Sequence, residues 1–205
     1  MTEPLVIYAF RHGQTDWNIV KRFQGHTDIP LNAEGERQAE ALAPLLKELP
    51  LEMILSSDLR RAARTAEIIA RHHGLPLLTD RRLREAHFGH VEGLTKDEVV
   101  ASLGDEAWQR WMSMTQENMD FSFPGGETKR QFIKRVQDCL EEFGARSPRP
   151  RVVALSTHGA VLKRLIQLCK NAPSEDFWIS NCDVHKLKFE THSRSWTYEA
   201  KVFEI

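Results

Sequence analysis

The chain has 205 residues, 28 of them basic and 29 acidic, for a formal net charge of −1. A chain of this length is one domain by the usual size relation, and a balanced charge without blocks of one sign excludes a nucleic-acid arm or a membrane-binding patch. Any anion the protein binds must therefore meet a local positive field. Cys139, Cys169 and Cys182 are unevenly spaced with no C-x-x-C. That suits a reducing compartment and argues against a disulfide framework or zinc ribbon. No apolar run approaches the roughly 18 residues of a membrane span, and no basic segment leads into an apolar core at the N-terminus. The expectation is a soluble, cytoplasmic protein with neither nucleic-acid nor membrane partners.

The first apolar run, Leu5-Val6-Ile7-Tyr8-Ala9-Phe10, is long enough for one buried strand and ends in Arg11-His12-Gly13. A guanidinium and an imidazole are thus delivered to the C-terminal end of a strand, where open α/β sheets form ligand crevices. Arginine presents a planar fork that matches phosphate oxygens, and a neutral histidine nitrogen beside it can attack phosphorus. Gly13 is expected to permit a sharp turn and the close approach of a ligand. On its own, the tripeptide is equally compatible with a solvated strand edge.

Asn32 is the expected N-cap of a helix bearing Ala39, Leu42, Leu45, Leu46 and Leu49, kinked at Pro44 and stopped by Pro50. Met53-Ile54-Leu55 reads as a short strand. Ser56-Ser57-Asp58 then caps a second helix whose apolar face is Leu59, Ala62, Ala63, Ala66, Ile69 and Ala70, with Asp58 the expected capping side chain. This β-α-β-α order argues for a largely parallel sheet with helices on both faces. The alternation breaks from Glu85 to about Lys129, where aromatics, glycines and weak helices around Asp97–Leu103 and Glu106–Met114 suggest a helical cap inserted at about residues 86–127. Thr128 opens a further amphipathic helix carrying Phe132, Ile133, Val136, Leu140 and Phe143. Ser147–Pro150 reads as a short loop. Val152–Ser156 is the next buried strand and runs into Thr157-His158-Gly159 and another helix. Val184–Glu190 and Trp196–Phe203 form an expected hairpin.

A parallel sheet brings all strand C-termini to one edge, so His12 and His158 should meet there despite their separation in sequence. The second strand and helix add Arg61, and Glu85 completes a set of two arginines, two histidines and one carboxylate. Such a set can clamp a phosphate and supply a nucleophile and a proton donor. Each member has a plainer alternative. Glu85 can be an ion-pair partner of Arg84 or Arg11, and Arg60 rather than Arg61 can be the inward cation, although helix neighbours point about 100° apart. His87 and His90 can be pocket wall, surface or metal ligands. Trp108, Trp111, Phe121 and Phe123 can be cap core or pocket lining.

Four ordered motifs carry a resemblance. They are Arg11-His12-Gly13-Gln14-Thr15 with Trp17-Asn18 and Arg22-Phe23-Gln24-Gly25, then Ser57-Asp58-Leu59-Arg60-Arg61-Ala62 with Thr65-Ala66-Glu67, then Leu83-Arg84-Glu85 with Gly89 and Glu92-Gly93, and finally Thr157-His158-Gly159. In this order they resemble the histidine phosphatase superfamily, of phosphoglycerate mutase-like fold. Ala9 departs from the larger aliphatic common at that place, which touches strand packing alone. The resemblance implies a three-layer α/β/α fold with a mixed, mainly parallel sheet and a small helical cap insertion, in a single domain over residues 1–205. It implies that His12 is the nucleophile, that Arg11, Arg61 and His158 surround the phosphoryl group, and that Glu85 is the acid and then the base. Gly13, Asn18, Gln24, Gly25 and Gly159 would contact or accommodate the phosphate.

The resemblance calls for neither metal nor cofactor, because the arginines act as the charge clamp. The partner it implies is a small-molecule phosphomonoester, and a homodimer is compatible with it. The short insertion and Phe123-Pro124-Gly125-Gly126-Glu127 are more similar to the phosphatase branches than to the mutases. A cofactor-dependent phosphoglycerate mutase and a non-catalytic phospho-ligand module are the alternatives.

Overall fold

The computed structural model describes residues 3–146, 150–170 and 177–205. The expected loop at 147–149 lies outside the described residues. Strands β1 (Leu5–Arg11), β2 (Met53–Ser56), β3 (Leu77–Thr79), β4 (Val152–Thr157), β5 (Val184–Glu190) and β6 (Ser195–Phe203) form one sheet in the order β3-β2-β4-β1-β5-β6. The first four are mutually parallel. β5 runs antiparallel to β1, and β6 antiparallel to β5. The sheet is therefore mixed and mainly parallel, in an α/β fold.

Strand alternation separates two apolar cores. Leu5, Ile7 and Ala9 of β1 enter one, together with Val153 and Leu155 of β4. Tyr8 and Phe10 enter the other, together with Ile54 of β2 and Ala154 of β4. Helices α2 (Ala33–Leu46) and α3 (Arg60–His73) cover the second core through Leu42, Ala43, Leu46, Ala66 and Ile69. Helices α6 (Lys129–Ala145) and α7 (Gly159–Lys170) cover the first. That first core extends without a break into the stretch between β3 and α6. There α4 (Lys96–Leu103) contributes Val99 and α5 (Asp105–Met112) contributes Trp111. A short helix, α1 (Asp16–Ile19), follows β1. No helix among the described residues is long and apolar enough to cross a membrane.

The caps follow the sequence closely at α2, where the Asn32 side chain accepts from the Gly35 N–H, and at α6, where Thr128 and Gln131 form a capping box. Three details differ from expectation. Helix α2 runs through Pro44 but ends at Leu46, short of Leu49; the proline falls in the last turn, where it removes only one of the final hydrogen bonds. The strand β3 was not anticipated, since three residues are too few to display alternation. Asp58 does not cap α3. The N-cap is Leu59, and the free N–H groups are taken instead by Ser57 Oγ (from Leu59, 3.3 Å) and Asp28 Oδ1 (from Arg60, 2.7 Å). Asp58 is held by the Arg84 fork in two hydrogen bonds of 2.6 Å, which outbid a single N–H donor and push its carboxyl below the usual carboxylate range.

The start of α2 sits directly on the chain that follows β1. A Cβ at Gly13 would collide with the Gly35 carbonyl, and one at Gly35 with the Gln14 backbone. The Asn32 N–H donates to the Gln14 carbonyl across the same contact. Both obstacles are backbone and cannot rotate away. Gly35→Ala is expected to destabilise the protein by about 1–3 kcal/mol, the usual cost of overpacking. Urea unfolding should show a lower midpoint at unchanged slope.

Candidate active site

The register of β1 against β4 pairs Arg11 with Thr157, so the next residues of each strand, His12 and His158, leave the sheet side by side. The His12 N–H donates to the Thr157 carbonyl at 2.9 Å, and the two imidazole centroids lie 5.3 Å apart, edge to face. β2 is in step on the far side of β4. Ser56 pairs with Ser156, and the Ser57 N–H donates to the Ser156 carbonyl. The chain then enters α3, whose first turn carries Arg61.

These groups border a cavity of about 880 Å³, within the range of small-molecule sites. Arg11, His12, Asn18, Gln24, Gly25, Arg61, Glu85 and Gly159 all line it. His158 is fully buried behind His12. Gly13 does not line the cavity. Its N–H donates to Thr65 Oγ1 at 3.1 Å, and a Cβ there would meet the Gly35 backbone at the start of α2.

His12 Nδ1 lies 2.7 Å from the Gly13 carbonyl, which can only accept, so Nδ1 carries the proton and Nε2 keeps its lone pair. Burial, then Arg61 and Arg11, hold the His12 pKa well below 6.5. Burial and the charge of Arg61 do the same to His158, neither of whose ring nitrogens has a protein hydrogen-bond partner. Arg61 is 1% exposed, while Arg60 is exposed. Arg61 donates Nη1 to the Thr27 carbonyl and Nη2 to the Gly25 carbonyl, and burial lowers its pKa to about 10. Arg11 donates Nη1 to the Ile179 carbonyl at 2.7 Å. The Nε of both arginines is buried without a partner. The arginines are thus anchored by neutral carbonyls, which fixes their position without neutralising them.

Among the described residues, Glu85 is the one carboxylate lining the cavity. It forms no ion pair with Arg84, which is taken by Asp58, or with Arg11. Its Oε1 accepts from the Ala86 N–H and its Oε2 from the Ala160 N–H, both at 3.0 Å. Burial raises its pKa against the pull of these N–H groups and of Arg61 and Arg11. Its backbone is clamped as well, the Glu85 carbonyl accepting from Arg135 Nη2 (2.7 Å) and His26 Nε2 (2.9 Å).

The other nearby acids are engaged. Glu92 accepts from the N–H groups of His26, Thr27 and Phe88, and Glu127 is held by Arg135. Gly25 takes a left-handed φ of 52°, and a Cβ there would strike the Glu92 carboxylate. Gln24 is buried and donates to Thr15 Oγ1 at 2.8 Å. His87 and His90 do not line the cavity, and among the described residues no three His, Cys, Asp or Glu side chains are grouped to hold a metal ion.

Both Trp108 and Trp111 line the cavity, whereas Phe121 and Phe123 pack behind them. A second wall was not legible in the sequence. Trp178, 78% exposed, lies over the Arg11 guanidinium at 5.5 Å, and Asn181 Nδ2 donates to the His12 carbonyl at 2.8 Å and to Asn18 Oδ1 at 3.3 Å. These residues precede β5 in a segment without periodicity. Lys21, Lys96 and Arg22 also line the cavity, the last paired with Glu98.

The profile of the histidine phosphatase superfamily (branch 1) matches residues 7–200. The chain belongs to the histidine phosphatase superfamily. It is 35% identical over 196 residues to a probable phosphoglycerate mutase, GpmB, of Escherichia coli, covering 91% of this chain and 86% of that protein. Among solved structures, a mycobacterial glucosyl-3-phosphoglycerate phosphatase in complex with VO3 superimposes with a TM-score of 0.81 at 31% identity over 98% of each chain. A phosphoglycerate mutase from Bacillus anthracis superimposes with a TM-score of 0.84 at 25% identity, over 98% of this chain and 93% of that one. The fold is thus phosphoglycerate mutase-like, and the superfamily makes the protein an enzyme of phosphoryl transfer.

Four buried or half-buried histidines, His12, His26, His158 and His185, have lowered pKa values, in each case chiefly through burial. Below pH 6.5 the unfolded chain binds protons that the native state refuses, so stability falls as pH drops. Each fully buried histidine contributes up to about 1.4 kcal/mol per pH unit to this slope. Glu85, with its raised pKa, acts in the opposite sense, and its contribution is lost as pH rises through the raised value. Thermal unfolding from pH 7 to 5.5 should show a falling Tm, with a shallower fall in His158→Gln.

Proposed function

We propose that the protein is a metal-independent phosphomonoester hydrolase that acts on a small-molecule substrate through a phosphohistidine at His12. The observation that carries this reading is a neutral imidazole with Nδ1 tied to the Gly13 carbonyl and Nε2 unencumbered, set between two carbonyl-anchored guanidiniums. The phosphoryl group of the substrate lies between Arg11 and Arg61, whose charges offset those of its oxygens. His12 Nε2 donates its electron pair to phosphorus, the P–O bond to the leaving group breaks, and that oxygen takes the Glu85 proton. Water then attacks the phosphohistidine and gives a proton to the Glu85 carboxylate, which restores the enzyme and releases phosphate. A dianionic phosphate bound at His12, whose ring lies 5.3 Å from that of His158, favours the protonated form of His158.

The competing reading is a phosphoglycerate mutase, favoured by the name of the 35%-identical relative. A mutase must shield its phosphoenzyme from water until the product is rephosphorylated. The cavity here is about 880 Å³, and its wall includes a tryptophan that is 78% exposed. Such a site supports hydrolysis as the dominant fate. The likeness to a phosphatase structure over 98% of the chain supports it too.

The deciding experiment incubates the protein in EDTA with 3-phosphoglycerate, with and without 2,3-bisphosphoglycerate, and with a panel of other phosphomonoesters. Release of phosphate should exceed isomerisation throughout, and His12→Ala should lower turnover by more than about 10³-fold while leaving the circular dichroism spectrum unchanged. Isomerisation exceeding phosphate release would make the protein a mutase. Activity lost in EDTA and restored by a divalent cation would make it metal-dependent.

Glu85→Gln should slow the phosphorylation step for an alkyl phosphate by about 10²–10⁴-fold, and much less for p-nitrophenyl phosphate, whose leaving group needs little protonation. Single-turnover measurements isolate that step. An equal loss for both esters would remove Glu85 as the proton donor.

A further inference from the structure

Lys129 is the first residue of α6, and its side chain is fully buried, at 0% exposure. Its Nζ donates to the carbonyl oxygens of Arg110, Trp111 and Ser113, at the C-terminal end of α5. A helix end leaves such carbonyls without intrahelical partners, and a cation there also opposes the negative end of the helix dipole. Arg164 of α7 adds a hydrogen bond to the same Trp111 carbonyl at 3.2 Å. Burial, and then repulsion from the guanidiniums of Arg164 and Arg110, lower the Lys129 pKa to about 8.

A buried ammonium held by neutral carbonyls is a costly way to finish a helix, which water or an exposed side chain could finish instead. What α5 carries gives the arrangement a purpose. With eight residues it is too short to hold its shape alone, and Trp108, Trp111 and Met112 on it form one wall of the catalytic cavity. Lys129 does not itself line the cavity. We propose that Lys129 is a positioning residue for substrate selection: by fastening the end of α5 to α6, it sets the Trp108–Met112 wall at the distance that the leaving group of the substrate must fit. The kinetic arm of the test below rests on the phosphomonoesterase reading, and the exchange arm does not.

The test uses the full chain with Lys129→Met, which keeps length and removes charge and donors, and Lys129→Gln, which keeps two donors. Kinetics are compared for 1-naphthyl phosphate, whose leaving group is large and aromatic, and for ethyl phosphate, whose leaving group is small. In Lys129→Met, KM for the naphthyl ester is expected to rise about tenfold, the size of one or two lost hydrogen bonds to a charged donor, with kcat within about twofold. KM for ethyl phosphate should stay near the parent value, and Lys129→Gln should fall between. Hydrogen exchange should quicken in residues 105–113 and stay unchanged in β1 and β4.

Equal changes of KM for both esters, or faster exchange throughout the molecule, would show a general structural role and overturn the proposal. So would parental kinetics and exchange in both variants. If Lys129→Met does not fold, a folded Lys129→Gln with parental KM values overturns it equally. A parent without phosphatase activity would refute the phosphomonoesterase reading, while exchange confined to 105–113 would still uphold the fastening of α5.

Discussion

The whole site depends on one contest, between the desolvation of cationic groups and the anion they are arranged to receive. Arg11 and Arg61 are 9% and 1% exposed, and His12 and His158 are 3% and 0% exposed. Four basic groups packed so closely could not all be charged in a dry interior. The histidines give way and stay neutral, while the arginines keep their charge because guanidinium is too basic to lose its proton. That division leaves one imidazole with a usable lone pair and two fixed cations. It follows from burial and spacing without a neighbouring carboxylate to activate the imidazole. The His12 Nδ1–H donates the orienting hydrogen bond to a backbone carbonyl instead, which sets the tautomer without adding charge.

Rigidity is supplied from outside the cavity. The Asp58–Arg84 fork, the grip of Arg135 on the Glu85 carbonyl and the engagement of Glu92 with three backbone N–H groups all lie one layer back. Each fixes a loop by charge-assisted hydrogen bonds, stronger than the neutral bonds of a turn. The segment from Trp178 to Cys182 is fixed differently. The Cys182 N–H donates to the Arg11 carbonyl, and Cys182 itself takes a left-handed φ of 63°. A non-glycine residue held there costs energy that the surrounding contacts must cover.

Much of this was legible in the chain. Short continuous apolar runs at Leu5–Phe10 and Val152–Ser156 located the two central strands, and the rule that parallel strands end on one edge brought His12 and His158 together. Capping side chains at Asn32 and Thr128 gave two helix starts directly. The misreadings have specific causes. Asp58 has the chemistry of a cap, but its partner Arg84 lies 26 positions away, and no local pattern encodes that competition. Gly13 was marked for the close approach of a ligand, and the close approach of the Gly35 backbone to it was not foreseen. The Trp178–Asn181 wall went unnoticed because its contacts with Arg11 and His12 are set by the antiparallel return of β5 rather than by any repeat. Helix geometry required that Arg60 and Arg61 point apart, and the spacing of the resembled family's motif from Asp58 chose Arg61, which the structure buries.

The sheet order has a consequence for how the molecule comes into being. β1 is made first but has no early neighbour. Its partners are β4 at residues 152–157 and β5 at residues 184–190, whereas β2 and β3, made in between, can pair with one another at once. During synthesis this buried strand therefore waits, unpaired, until most of the chain has followed it. Closing so long a loop is slow, and an exposed strand is vulnerable to association with others while it waits. The same closing event brings His12 and His158 together. Catalytic competence and completion of the sheet must therefore arrive in one step, and no folding intermediate that lacks the β1–β4 pairing can hold a working site.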